Sequence, residues 1–192
     1  MAKRNAWFAF VGAGVLAAGV AFAISGEART AQSADGAAAA NPVSTTVKGQ
    51  LPRFSKNMIS AAEAMPADKY AYKPTPEMNS FGHLVMHSTQ SNNLLCSKIS
   101  GMAAPDVKIA DTDGKDKLVA ALKASFEYCT TALANADDAK LGEQMVLFGN
   151  RPSTRAAAFI ALSDGWNDHY GAMATYLRLN GILPPSAQPR KE

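Results

Sequence analysis

The chain has 192 residues and a formal net charge of +3, and 47% of its residues are hydrophobic. Residues 1–34 hold three of its 19 basic and one of its 16 acidic residues, which leaves 16 basic against 15 acidic residues in the remainder. This near-neutral balance, together with the lack of a basic stripe interleaved with aromatic residues, excludes a nucleic-acid-binding surface. The length of residues 42–190 fits one domain with a sizeable core.

The first segment in chain order has the pattern of an export signal. Lys3 and Arg4 precede an apolar run at residues 6–24, and small residues suited to cleavage follow it. This order is typical of a secretory signal peptide, although the run is long enough that an uncleaved membrane anchor is the alternative. We therefore predict a signal peptide or anchor at residues 1–27 and a flexible tether at residues 28–41. The rest of the chain is expected to be periplasmic, or membrane-anchored and facing the periplasm.

Helical spacing of apolar residues predicts the first two helices of the domain. The first is predicted over residues 47–65, and Pro52 inside it marks either its start or a kink. A proline-containing connection at residues 66–79 follows. Ser80 is then the expected N-cap of a second helix, which Gly101 closes.

The same spacing predicts two further helices and no strands. A polar connection at residues 101–114 leads to a third helix over residues 119–133. Ser153 or Thr154 is the expected cap of a fourth helix, which ends before Gly181. Since no segment alternates with the period of a strand, the predicted fold class is all-α, a four-helix bundle.

Three histidines are the residues that point to chemistry. His83 and His87 are four positions apart, so they share one face of the second helix. His169 takes an apolar position in the seam of the fourth helix, among hydrophobic residues spaced three and four apart. Imidazole is a common ligand of zinc, nickel, copper and iron, so three imidazoles on two facing helices predict an open metal site. A hydrogen-bonded structural His169 and a solvated His83 are the alternatives.

Two stretches carry a family resemblance. AAEAMPADKYAYKPTPEMNSFGHLVMH, at residues 61–87, resembles the entry of DinB-like proteins, and NDHYGAMATYLRLNGILPPS, at residues 167–186, resembles their last helix. The resemblance covers most of residues 43–186. It implies an up-down-down-up four-helix bundle that holds a divalent metal, commonly zinc or nickel. It also implies a thiol-dependent transferase or related metalloenzyme as one activity, because some relatives are of that kind.

The resemblance assigns metal ligation residue by residue. His87 matches the family ligand on the second helix, and His169 matches the later of two ligands on the last helix. The earlier of those two lies four residues before His169, where this chain has Gly165, which cannot coordinate a metal. Either His83 supplies the third nitrogen from the second helix, or the family site has decayed in this chain.

The remaining candidate residues are two cysteines and one arginine. Cys96 and Cys129 are predicted to form a disulfide, since a cysteine pair in an exported protein is normally oxidised. Soft metal ligands or two reduced thiols are the alternatives. Arg178, at the end of the fourth helix, is either a contact for an anionic substrate or a residue that balances the helix dipole.

Two functions remain open after this reasoning. The first is an exported metalloenzyme, possessing a zinc or nickel cofactor and acting as a thiol-dependent transferase on an unidentified small molecule. The second is a non-catalytic envelope binding or stress module with a degenerate metal site. Under either function we expect no nucleic-acid partner. The expected membrane contact is only through the N-terminal segment, if that segment stays uncleaved, and a homodimer is the candidate assembly.

Overall fold

The computed structural model describes residues 40–189. The predicted signal peptide or anchor, at residues 1–27, and all of the predicted tether except its last two residues lie outside the described part. The described part contains four α-helices and one β-hairpin: α1 (Pro42–Ala64), α2 (Phe81–Ser100), α3 (Lys115–Leu133), β1 (Gln144–Val146), β2 (Pro152–Thr154) and α4 (Arg155–Leu179). Single 3₁₀ turns lie at Ala67–Lys69, Phe148–Asn150 and Pro185–Ala187. Among these residues, no helix combines the length and apolar character that a membrane crossing needs.

Helix α1 starts five residues before the apolar residues from which it was predicted, at residues 47–65. It begins at Pro42 and runs through Pro52, so a start near Pro52 is wrong. The carboxylate of Asp138 accepts hydrogen bonds from the backbone N–H groups of Val43 (2.9 Å) and Ser44 (2.8 Å). Burial alone would raise the pKa of Asp138, but these hydrogen bonds outweigh it and lower the pKa. A charged cap from the segment after α3 therefore satisfies the free N–H groups of the first turn.

The predicted ends of the later helices are confirmed. The side chain of Ser80 accepts a hydrogen bond from the backbone N–H of His83, and Gly101 ends α2 with a φ of 77°. At α4, Thr154 is the cap, and its hydroxyl accepts from the backbone N–H of Ala157 at 3.2 Å. Local side-chain chemistry therefore sets these boundaries, as expected for capping residues and a left-handed glycine.

Contacts between helices give the direction of each one. Residues 33 positions apart meet at two levels of α2 and α3, which therefore run parallel: Asn92 with Ser125, and Cys96 with Cys129. Helices α1 and α4 are parallel too, with matched contacts one turn apart: Gln50 with Ser163, and Phe54 with Trp166. Helices α2 and α4 are antiparallel, because contacts move in opposite directions along them: Asn92 lies beside Trp166, whereas Asn79, just before α2, lies beside Tyr176. The bundle is therefore up-down-down-up, as predicted.

A buried polar group joins three helices at the centre of the apolar core. The side chain of Asn92 accepts a hydrogen bond from the indole N–H of Trp166 (2.8 Å) and donates one to the hydroxyl of Ser125 (3.0 Å). One turn further along, Cys96 and Cys129 form the predicted disulfide, with their Cα atoms 5.3 Å apart. All five residues are buried, so the network and the disulfide fix the register of α2, α3 and α4.

The hairpin between α3 and α4 was not predicted from the sequence. Its two antiparallel strands have three residues each, too few to show the alternation that identifies a strand. Met145 and Leu147 pack against the core, and the chain reverses through Gly149 and Asn150, whose φ values are 61° and 60°. The fold class remains all-α, with this hairpin as an addition at one end of the bundle.

Candidate metal centre

The segment between α2 and α3 shapes the start of α2. Because α2 and α3 are parallel, residues 101–114 must return along the bundle, and they pass over Gly82. A β-carbon at Gly82 would lie 2.5 Å from the carbonyl oxygen of Asp111 and 3.3 Å from that of Tyr70, so only glycine fits. This close approach places the Asp111 carboxylate 3.5 Å from Nδ1 of His83.

The structure brings all three histidines to the boundary between α2 and α4. The rings of His83 and His87 are nearly parallel, with centroids 6.1 Å apart. The rings of His87 and His169 meet edge to face, with centroids 4.8 Å apart. His87 is exposed, whereas His83 and His169 are half-buried. The cluster therefore lies at the surface of the bundle and is open to solvent on the side of His87.

Two of the imidazoles are held in the neutral form. Burial lowers the pKa of His169, the neighbouring His87 lowers it further, and the carboxylates of Asp168 and Asp164 oppose the shift. Partial desolvation and the nearby His83 likewise lower the pKa of His87, against the opposing charge of Asp168. Near pH 7 both rings are therefore unprotonated, and their lone pairs are available to a cation or a hydrogen-bond donor.

The residues present do not complete a three-ligand metal set. A β-carbon built on Gly165 would lie 3.6 Å from Cε1 and 4.0 Å from Nδ1 of His169, so this position faces the histidine but offers no donor. Asp164 and Asp168 are exposed. Within residues 40–189, no three His, Cys, Asp or Glu side chains are gathered closely enough to hold an ion. The zinc or nickel that the family resemblance implies fits incompletely, and metal binding by His83, His87 and His169 stays a prediction.

Comparison with known protein families assigns the bundle to a family. Residues 50–173 match the model of the DinB superfamily, which is most of the described bundle and includes all three histidines. The chain belongs to the DinB superfamily. The family expected from the sequence motifs is therefore confirmed.

Solved structures share the DinB-like fold. A DinB-like protein of Bacillus subtilis is 24% identical, with a TM-score of 0.60 over 76% of this chain and 99% of that one. A DinB-like protein of Bacillus cereus is 14% identical, with a TM-score of 0.59 over 73% and 95% of the two chains. A conserved protein of Enterococcus faecalis is 16% identical, with a TM-score of 0.53 over 71% and 96%. No curated protein matches the chain, and these likenesses concern the fold alone.

Arg178 and Asp111 differ in their relation to the histidine cluster of this DinB superfamily protein. Arg178 is exposed in the last turn of α4 and nine positions beyond His169, which puts it on the opposite side of the helix, about 13 Å along the axis. It therefore stands apart from the histidine cluster. Asp111 was missed by sequence reasoning, because the polar segment that holds it gives no periodic signal. The glycine at position 82, inside the first turn of α2, was the one trace of the close approach.

Proposed function

We propose that this DinB superfamily protein is an exported, non-catalytic binding or stress module of the cell envelope whose metal site is degenerate. The Cys96–Cys129 disulfide supports export, because disulfides persist in oxidising compartments. The signal-like pattern at residues 1–27 supports it as well. The remaining imidazole pair is the expected contact for a small-molecule partner.

The observation that carries this proposal is Gly165. It occupies the position of the third family ligand and directly faces His169, yet it has no atom that can coordinate a cation. The candidate replacement, His83, is stacked parallel to His87 with ring centroids 6.1 Å apart, and within residues 40–189 no three donor side chains are gathered closely enough to hold an ion. Two facing imidazoles bind a divalent cation less tightly than the three protein ligands usual in open zinc sites.

A metal-dependent enzyme of the thiol-transferase kind is the second candidate, and one observation favours it. The edge-to-face rings of His87 and His169, 4.8 Å apart and both neutral, resemble two donors converging on one ion. Asp111 would orient His83 as a third donor, in the way that carboxylates orient many metal-bound histidines. The scarcity of low-molecular-weight thiols outside the cytoplasm weighs against this function.

Metal analysis of untagged protein separates the two functions. Elemental analysis should find substoichiometric zinc and nickel in the wild-type chain, and the same low content in the double variant His87→Ala/His169→Ala. Circular dichroism should show that both proteins are folded. One equivalent of metal in the wild-type chain, lost in the double variant, would instead establish the metalloenzyme candidate. The single variant His83→Ala is the matched control, because it tests whether any metal found depends on the third histidine.

A further inference from the structure

A cavity of about 250 Å³ lies at the end of the bundle that is far from the histidine cluster. It is lined by the last residues of α2, by the end of α3 and the segment after it, and by the first residue of α4. Ser100, the last residue of α2, lies about 20 Å along the helix axis from His87. The cavity is therefore separate from the site on which the proposed function rests.

The direction of the helices gives this cavity a negative side. Because α2 and α3 are parallel, both end here, and Ser100 and Ala132 from their last turns line the cavity. The last carbonyl groups of a helix have no partner within the helix and carry the negative end of its dipole. The exposed carboxylate of Asp137 lines the same cavity. These groups favour a cation such as an ammonium.

Two basic side chains, those of Arg155 and Lys140, give the cavity a positive side. The side chain of Arg155 is only 13% exposed, and its Nη2 lies 2.6 Å from Oε2 of Glu143. Its buried Nε–H has no acceptor among residues 40–189. Buried donors normally have an acceptor, and beside a cavity a ligand can supply it. Lys140 is exposed and forms no ion pair in the described part of the chain.

We propose that this cavity binds a small zwitterion, an α-amino acid with an apolar side chain. Its carboxylate would bind at Arg155 and Lys140, since a guanidinium forms strong and often bidentate hydrogen bonds with a carboxylate. Its ammonium would bind at Asp137 and the two helix ends. The buried residues Ile99 and Ala132 provide an apolar wall for its side chain. A cavity of about 150 Å³ holds benzene in another protein, so this larger one accommodates an amino acid.

A zwitterion fits this cavity better than a ligand with a single charge. With Glu143, which pairs with Arg155, the cavity has two acidic and two basic side chains. The helix ends add partial negative charge. A simple anion would meet Asp137 and the carbonyl groups, and a simple cation would meet the buried guanidinium. Each would leave a group of the opposite sign uncompensated, whereas a zwitterion compensates both. This role goes beyond the proposed function and does not depend on it.

Calorimetric titration of the metal-free full-length protein with L-leucine tests this site. Saturable binding is expected. Two analogues test each charge, because 4-methylpentanoate lacks the ammonium and 3-methylbutylamine lacks the carboxylate. Each analogue should bind about tenfold more weakly or worse, since a hydrogen bond to a charged group is lost. The absence of saturable leucine binding would overturn the proposal. Binding of 4-methylpentanoate as tight as that of leucine would also overturn it, because the site would then be one for anions.

Variants of the basic residues locate the ligand. Arg155→Met should weaken leucine binding about tenfold, and Lys140→Gln, at an exposed position where folding is not at risk, about threefold. Arg151→Met is the matched control, because Arg151 is exposed in the hairpin loop outside the cavity, and it should keep the wild-type affinity. Wild-type affinity in Arg155→Met or in Lys140→Gln would refute the assignment. So would a loss of binding in His87→Ala/His169→Ala, since the ligand would then lie at the histidines.

Discussion

Replacing Gly165 by histidine should supply the ligand that the histidine cluster lacks. The new β-carbon would lie 3.6 Å from Cε1 and 4.0 Å from Nδ1 of His169, which are ordinary van der Waals distances, so this position accepts a β-carbon without displacing its neighbour. In a helix interior, histidine is about 0.4 kcal/mol more favourable than glycine, so folding is not impaired. Side chains four positions apart share a helix face, which brings the introduced imidazole to the same cation as His169 and His87.

The gain should appear as zinc-dependent stability. Zinc at about 100 times its dissociation constant stabilises a protein by about 2.7 kcal/mol, which for a domain of this size raises Tm by about 5–10 °C. Thermal melts with and without zinc, and competition with a chromophoric chelator, measure the effect. Gly171→His is the matched control, since the same substitution on the same helix has open space around it and points away from His87. Equal zinc responses in the two variants would refute the assignment of Gly165 as the missing ligand position.

Three further predictions concern the core and the histidines. Reducing the Cys96–Cys129 bond should lower the free energy of unfolding by about 3–4 kcal/mol in denaturant titrations, because the bond joins residues 33 apart; two alkylatable thiols in the isolated protein would contradict the bond itself. Asn92→Ala should lower the free energy of unfolding by about 2–4 kcal/mol in the same titrations, because the buried indole N–H of Trp166 loses its acceptor. Asn167→Ala, at an exposed position of α4, should lower it by less than about 0.5 kcal/mol. The pKa of His169 is lower in the folded state than in the unfolded state, so its contribution to stability is present above about pH 6.5 and is lost as the pH falls below that value. The free energies of unfolding of the wild type and of His169→Asn should therefore diverge below about pH 6.5. Parallel pH profiles of the two proteins would contradict this.

The helices could be predicted from the sequence because their signals are local. Apolar residues at spacings of three and four marked all four, and Ser80, Gly101 and Thr154 marked ends that the structure confirms. The start of α1 was missed although Pro42 occupies its first turn, where proline is favoured, because the carboxylate that caps that turn comes from Asp138, 94 to 95 residues further along the chain. The hairpin escaped notice because three-residue strands are too short for a period to emerge.

The histidine cluster was predictable in part for the same reason. The four-residue spacing of His83 and His87 fixes their shared face, and the apolar seam turns His169 towards α2. The pairing of His83 with Asp111 arises because the connection at residues 101–114 crosses α2 at Gly82. This is a tertiary contact, and the spacing of apolar residues does not reveal it. The significance of Gly165 came from the family resemblance, because a single helical glycine carries no chemical signal of its own.

The zinc affinity of the metal-free wild-type protein at neutral pH is the most direct test of whether the histidine cluster is incomplete. Chelator competition should give a dissociation constant weaker than about 1 μM, equivalent to less than about 8 kcal/mol of binding free energy, because only two imidazoles converge. Nanomolar binding that is lost in His87→Ala and in His169→Ala would contradict a degenerate site. It would show instead that this DinB superfamily bundle retains a working metal centre.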